Sequence, residues 1–415
     1  MRTVSEHRAV VASLLPPTPV ESRPLADALG LVLASDLVSP IPLPPFDNSA
    51  MDGYAVRAQD VADADEAAPV RMPIAEDIPA GRTDSPPLQP GTAHRIMTGA
   101  AVPPGADAVV PVEHTGGYPV NGSDAAGGLG EVRIDRPARL GAHIRRAGED
   151  VTAGTVILPA GTVMGAAQIG LAAAVGFAEV PVRRPPRVLV LSTGSELVEP
   201  GRPLRHGQIY ESNSAMLAAA VTEAGGVAER LRFVPDDVTE FLAVLSRRFE
   251  QSPPDLLLTS GGVSAGAFEV VKDALADRGV EFVRVAMQPG GPQGAGRLSG
   301  FGTDVAAVTL PGNPVSSQVS FEVFVRPALR AAMGHPHPDR AAVRVRLGES
   351  LRAPSGKRQF RRGTLDAVNG TVRTVGGPGS HLLSAMARAD CLIALDGVRE
   401  EYVEGDEVEV WLLEQ

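Results

Sequence analysis

DLLLTSGGVSAGAFEVVKDALADRG, residues 255–279, passes from an apolar run through a glycine-rich loop into a helical period that stops at glycine. The apolar run, DLLLTS, reads as a strand covered on both faces, as in a parallel sheet with helices on each side. Its surroundings repeat the theme. Upstream, RVLVLSTG (187–194) is a second buried strand, SNSAMLAAAVTEAGG (212–226) a helix with a glycine stop, and VAERLRFV (227–234) a strand. Asp237 and Glu240 have capping-box spacing and open the helix FLAVLSRRF. Downstream, DVAAVTL (304–310) is another strand, and PVSSQVSFEVFVRPALRAA (314–332) a helix with Pro314 at its start and a kink expected at Pro327. Strands alternating with helices over short loops define an α/β unit with a mostly parallel sheet.

Further out, the patterns change. Beyond Gly334 the alternation in AVRVRLGESL, GTVRTV and DEVEVWLL predicts a small antiparallel barrel or sandwich. RRPP (183–186) breaks both helix and strand and serves as a linker. SEHRAVVASLL has helical spacing up to Pro16 and Pro17, and LADALG reads as a second short helix. From 53 to 139, short apolar runs broken by Gly and Pro predict a small β domain, with 121–130 as a loop within it. Longer elements resume after it, so this β domain is inserted into another. The expected segments are 1–52 and 140–184 for the host domain, 53–139 for the insert, 185–333 for the α/β domain and 334–415 for the barrel.

Composition narrows the chemistry. The 415 residues are 44% hydrophobic but only 4% aromatic, so the cores must be aliphatic. A formal net charge of −11 argues against nucleic acid or an anionic membrane as partner, while leaving room for a small anion held by peptide N–H groups and a few arginines. Cys391 is the single cysteine, so no internal disulfide forms; it reads as a buried thiol. The start, MRTVSEHRAVV, has no secretory pattern, and a cytoplasmic location is expected.

Functional loops of an open parallel sheet lie at the carboxyl ends of its strands. Here these are STGSELVEPG, VPDD, TSGGVSAGAFE and LPGNPVSS. Gly261 and Gly262 let the backbone approach a ligand, and Pro311, Gly312, Asn313 and Pro314 begin a helix with Ser316 and Ser317 in its first turn. A rival reading sits in the same loop: Gly262-Val263-Ser264-Ala265-Gly266 has the spacing of a nucleophile elbow, with His335, His337 and His381 downstream. No zinc spacing and no P-loop or dinucleotide fingerprint is present. Asp52, Asp150, Glu196, Asp236, Asp237 and Glu269 all fall in or beside glycine-rich loops, a donor set suited to Mg²⁺ bridging phosphate; Asp237 doubles as a helix cap.

Taken in order, FDNSAMDGYAV, RIMTGAAVPPGADAVVPVE, RRAGEDV, LSTGSELVEPG, GQIYESNS, SGGVSAG, QPGGP, LPGNPVSSQVSF and GSHLLSAMARAD resemble the molybdopterin molybdenumtransferases, the MoeA family that includes the E domain of gephyrin. The resemblance implies a multidomain α/β protein: a three-layer α/β molybdopterin-binding domain, an elongated N-terminal domain carrying the inserted β domain, and a C-terminal β-barrel. It implies Mg²⁺-dependent insertion of molybdate into adenylylated molybdopterin with release of AMP. It further implies a homodimer with a shared active site, with molybdopterin adenylyltransferase and apo-molybdoenzymes as partners. Carried over by motif, Asp52, Thr98, Asp150, Glu196, Asp236 and Glu269 are the catalytic candidates, and Asp52, Asp236 and Glu196 the metal candidates. Gly261, Gly262, Ser264, Gln288, Pro311, Gly312, Asn313, Pro314, Ser316, Arg362 and Ser380 are expected to surround pterin, molybdate or nucleotide. The chain departs from many relatives where two lysines become Gln288 and Gly291, where STGDEL becomes STGSEL at Ser195, and where the loop after SGG carries Ala267 and Glu269. Arg297 is the expected substitute cation. A non-catalytic molybdopterin-binding paralogue or scaffold is the alternative reading.

Overall fold

Alternate residues of the central strands feed two separate cores, which is why a three-layer unit forms. The computed structural model describes residues 1–118, 129–231, 237–262 and 270–413. Six strands make the sheet: β1 Arg187–Ser192, β2 Val227–Arg230, β3 Leu256–Ser260, β4 Val280–Arg284, β5 Pro292–Leu298 and β6 Val305–Leu310, in the order β2-β1-β3-β6-β5-β4. The first four in that order are parallel; β5 and β4 join antiparallel. Val188, Val190, Leu256, Leu258, Ala306 and Val308 point to one face. There they meet α1 Val4–Leu14, α2 Asn213–Glu223 and the helix that begins at Pro314. Leu189, Leu191, Leu257 and Ala307 point to the other, against α3 Val238–Gln251 and α4 Val270–Leu275. This is the period-two alternation of strands buried on both sides.

The ends of these elements follow local chemistry. Thr3 and Glu6 form a full capping box on α1, and Asp237 accepts from the Glu240 N–H at the start of α3. The last helix runs through α5 Pro314–Ser320, a π turn at Phe321–Val325 and α6 Arg326–Ala332. Pro327 falls in the first turn of α6, where its missing N–H costs little, so the irregularity is the π turn just before it. LADALG is not a second α-helix; only Leu25–Asp27 form a 3₁₀ turn, too short to repeat an apolar face.

The C-terminal strands close a barrel. β7 Ala342–Leu347, β8 Arg358–Asp366, β9 Thr371–Thr374, β10 Cys391–Leu395 and β11 Glu407–Leu412 pair in the ring β8-β9-β7-β11-β10-β8. One contact, β7 with β9, is parallel, so the barrel is not purely antiparallel. Cys391, Ile393 and Leu395 fill its interior, whereas Leu392, Ala394, Phe360 and Trp411 join the core that covers the α/β sheet. Cys391 is indeed a buried core thiol, its pKa pushed far up by burial.

By internal packing the chain divides into two units, Met1–Ser35 with Ala160–Gly165 and Glu179–Gln415, and Asp36–Pro159 with Ala166–Ala178. The second unit contains a five-stranded sheet in the order Ala108–Pro111, Gly53–Val56, Ala93–Ile96, Val70–Ile78, Glu131–Ile134. Its core is built on Tyr54, Val56, Met72, Ile74, Val110 and Ile134. Of the loop expected at 121–130, residues 121–128 lie outside the described residues, as do Asp236, Ser264 and Glu269. Among the described residues, no helix is long and apolar enough to cross a membrane.

Candidate functional site

Three parallel strands end side by side, and the loops that leave them form one wall of a cleft of about 900 Å³. The strand ends are stitched: the Thr193 N–H donates to the Ser260 carbonyl at 3.4 Å, and the Gly261 N–H to the Leu310 carbonyl at 3.1 Å. Gly261 holds φ +97°, and a Cβ there would stand 2.9 Å from the Thr193 carbonyl oxygen. Only glycine fits so close a backbone approach. Asn213, in the first turn of α2, donates to Ser260 Oγ at 2.8 Å and to the Gly312 carbonyl at 2.6 Å. Ser260 Oγ lies 3.0 Å from Ser317 Oγ. Asn213, Ser260 and Ser317 thus tie α2, β3 and the start of α5 together. Sequence reasoning placed Ser317 in the first turn of a functional loop's helix but singled out neither Asn213 nor Ser260, although a serine ending an otherwise apolar strand is a usable signal.

Most sequence candidates from the α/β unit lie on this cleft. Glu196, Gly261, Gly262, Gln288, Pro311, Gly312, Asn313, Pro314, Ser316 and Ser380 line it, with Pro378 and Gly379 completing the barrel's contribution. Asn313 precedes α5 without a side-chain capping bond, and Pro314 occupies the first helical turn. The Val315 N–H donates to the Ser380 carbonyl at 3.2 Å, joining barrel loop to helix start. Arg362 does not reach the cleft surface. It is buried in β8 and donates to the Gly377 carbonyl, so it supports the 378–380 wall from behind; burial, then neighbouring Arg361, lowers its pKa.

Arg297 does not substitute for the missing lysines. Pro292 opens β5 at the cleft, but β5 runs antiparallel to β6, so five residues later the chain has travelled about 17 Å toward the opposite edge of the sheet. There Arg297 donates to the Leu14 carbonyl at 3.0 Å and lines a separate cavity with Arg187 and Asp255. Among the described residues, the cleft lining contains no arginine or lysine and two carboxylates, Glu196 and Glu211. Glu211 is engaged by the Ser214 N–H at 2.7 Å and the Ser214 hydroxyl at 2.5 Å. An anion bound here would meet peptide N–H groups, hydroxyls, amides and a helix start.

The described residues leave one way for the cleft to hold a metal. No three His, Cys, Asp or Glu side chains gather among the described residues, so no all-protein cage is available. One cleft carboxylate, Glu196, suits a hydrated Mg²⁺ that takes its other ligands from phosphate and water.

The second unit holds the remaining candidates. FDNSAMDGYAV forms a turn in which both carboxylates accept peptide N–H groups. Asp52 Oδ1 accepts from the Thr98 N–H at 2.6 Å, which, with the Thr98 hydroxyl, holds its pKa below the usual range. Asp47 accepts from the Ala147 N–H at 2.8 Å and from Arg146 at 2.6 Å, with the same effect. Gly53 follows because a Cβ would collide with the Val110 carbonyl at 2.0 Å. The structure therefore brings Asp52 and Thr98 together at an exposed edge. Asp150 is also exposed, in the adjoining turn, where its N–H donates to the Leu43 carbonyl at 3.0 Å.

A molybdopterin-type α/β cleft walled by a small barrel is the class that fold and site define. Three family models cover the chain: the MoeA N-terminal region (domain I and II) matches residues 2–176, the probable molybdopterin binding domain 189–331, and the MoeA C-terminal region (domain IV) 344–413. The chain belongs to the MoeA family of molybdopterin molybdenumtransferases. It is 54% identical to molybdopterin molybdenumtransferase 2 of Mycobacterium tuberculosis, over 99% of each chain. It is 34% identical to the molybdopterin molybdenumtransferase of Haemophilus influenzae, covering 99% of this chain and 98% of that one. The crystal structure of a molybdopterin biosynthesis MoeA protein from Pyrococcus horikoshii superposes with a TM-score of 0.81 at 32% identity, covering 100% of this chain and 99% of that one.

Proposed function

We propose that this chain inserts molybdate into adenylylated molybdopterin, breaking the phosphoanhydride bond so that AMP leaves and molybdenum cofactor is formed. The observation that carries the reading is the large cleft at the carboxyl edge of the sheet, lined by glycine loops and a helix start, in a chain that matches the family along its whole length. The volume of about 900 Å³ suits a pterin–nucleotide substrate, near the upper end for small-molecule sites. Gly262, Gly312 and Ser316 offer backbone and hydroxyl donors to phosphate and molybdate oxygens, and Ser380 closes the barrel side. Bound Mg²⁺ would neutralise charge on the phosphoanhydride, with Glu196 as its protein ligand here. Asp236, Ser264 and Glu269 remain proposed members of the same site on the strength of their motifs.

The proposed assembly is a homodimer in which Asp52, Thr98 and Asp150 of one copy complete the cleft of the other. The exposed, N–H-tethered carboxylate of Asp52 supports this, because a preoriented anionic ligand with free lone pairs suits a metal or a donor on a second chain. A cytoplasmic location and hand-over from a molybdopterin adenylyltransferase to apo-molybdoenzymes belong to the same proposal. The test is AMP release from adenylylated molybdopterin with molybdate and Mg²⁺, followed by activation of an apo-molybdoenzyme. Tight pterin binding without AMP release would favour the non-catalytic paralogue. Labelling of Ser264 by a fluorophosphonate would favour the hydrolase.

A further inference from the structure

The wall of the cleft at 288–292 is held from beneath by two buried amides. Gln359, on barrel strand β8, stands in parallel register with Gln288 and donates its Nε2 hydrogen to Gln288 Oε1 at 2.8 Å. Gln293, on β5, donates to the Gly290 carbonyl at 2.7 Å and to Ser320 Oγ at 2.7 Å. Gln359 is 2% exposed and its own Oε1 has no partner in the structure, as is true of Gln293 Oε1. A buried acceptor left unmet is unfavourable, and an apolar side chain of similar shape would pack there without that cost. Packing alone therefore does not explain Gln359. Its bond to Gln288 has a chemical result: one lone pair of the Gln288 oxygen is held by the barrel, and the NH₂, the donating end of that carboxamide, is the end available to the cleft.

We propose that Gln359 is a positioning residue that orients Gln288 as a neutral hydrogen-bond donor to an oxygen of the bound tetrahedral anion. The cleft lining has no cation among the described residues, so the direction in which one amide points decides whether a donor or an acceptor meets the anion. This rests on the molybdate-binding reading above and adds to it a residue from outside the cleft. The barrel thereby acts on the site through a second route besides the 378–380 loop.

The experiment is a double-mutant cycle on Gln359→Met and Gln288→Met in the full-length protein. It is read by the molybdate KM for AMP release and by calorimetric titration with sodium molybdate, with thermal unfolding as a folding control. Loss of one oriented neutral hydrogen bond predicts a fivefold to tenfold rise, roughly, in the molybdate KM of Gln359→Met, with kcat at saturating molybdate within about twofold. The double variant should be no worse than Gln288→Met alone, because Gln359 acts through Gln288. Should Gln359→Met fail to fold, Gln359→Asn, one methylene short of Gln288, carries the same prediction. An unchanged molybdate KM in a folded Gln359 variant, or full additivity in the double, overturns the positioning role while leaving the cleft assignment standing. Wild-type protein that binds no molybdate, alone or with adenylylated molybdopterin, overturns the cleft assignment and the positioning role together.

Discussion

Replacing Arg340 by Met should release the C-terminal barrel from the α/β unit. Arg340 is buried and donates to Glu322 Oε2 at 2.9 Å, to Glu322 Oε1 at 3.3 Å, to Glu223, and to the Leu413 carbonyl at 2.5 Å. Glu322 lies inside the π turn, 3% exposed, with Arg326 at 3.8 Å and the Gln318 amide at 3.1 Å as its other partners. Removing Arg340 leaves a buried carboxylate short of its main cation, a loss of about 3–5 kcal/mol for a broken buried pair. Arg326 stays nearby and shares the charge, so the lower end, about 3 kcal/mol, is expected. Trp411 is the single tryptophan and sits on barrel strand β11, its ring 5.2 Å from Phe360. Its fluorescence therefore reports the barrel in urea, which unlike guanidinium does not screen charge. With slopes of about 1–3 kcal/mol per molar urea, the midpoint should fall by at least about 1 M. Arg340→Met with Glu322→Met should cost less than the two singles summed, because the two charges of the pair disappear together and only Arg326 is left without its carboxylate. A single variant within about 1 kcal/mol of wild type, or a double variant as unstable as the two singles summed, would refute the clamp.

Three further outcomes follow from named contacts. Under the proposed shared-site homodimer, Asp52→Asn and Glu196→Gln, each inactive alone, should regain about one quarter of wild-type turnover when co-expressed, since half of randomly paired dimers would be mixed and each mixed dimer would have one intact site; no recovery in purified heterodimers would argue for a site within one chain. Gly261→Ala forces a Cβ to 2.9 Å from the Thr193 carbonyl at φ +97°, so AMP release should drop at least tenfold while the melting temperature falls only a few degrees; unchanged turnover would remove that loop from the site. His7 is buried, and burial followed by the Arg2 charge pushes its pKa down to about 4, against about 6.5 when unfolded. Below pH 6.5 the unfolded chain takes up a proton that the folded one refuses, so stability declines as pH falls toward 4, by about 3 kcal/mol in all. Urea titrations at pH 7.0 and 4.5 should show this loss and show less of it in His7→Leu; a loss undiminished in that variant would contradict it.

What was legible in the sequence was whatever depends on local period. DLLLTS and RVLVLSTG read as strands covered on both faces because their odd and even residues are all apolar, and two cores are indeed fed by them. Gly261 and Gly262 read as loop positions because glycine alone allows such approach. What stayed hidden depends on direction and on register between distant segments. Arg297 reads as near the site because it lies five residues from Pro292, but β5 runs away from the cleft. Arg362 is a ligand candidate by its motif, yet its place on β8 turns it under the loop it is expected to accompany. Gln359 had no sequence signal at all, since its meaning comes from pairing with Gln288 across 71 positions of chain.

Molybdenum anomalous diffraction from crystals soaked with molybdate and AMP would locate the anion directly. The predicted peak lies in the cleft between Gln288 and the 311–316 loop, among amides and hydroxyls. A sole peak at the opposite edge of the sheet, beside Arg187 and Arg297, would contradict the central claim that oriented neutral donors, and not arginines, hold the anion.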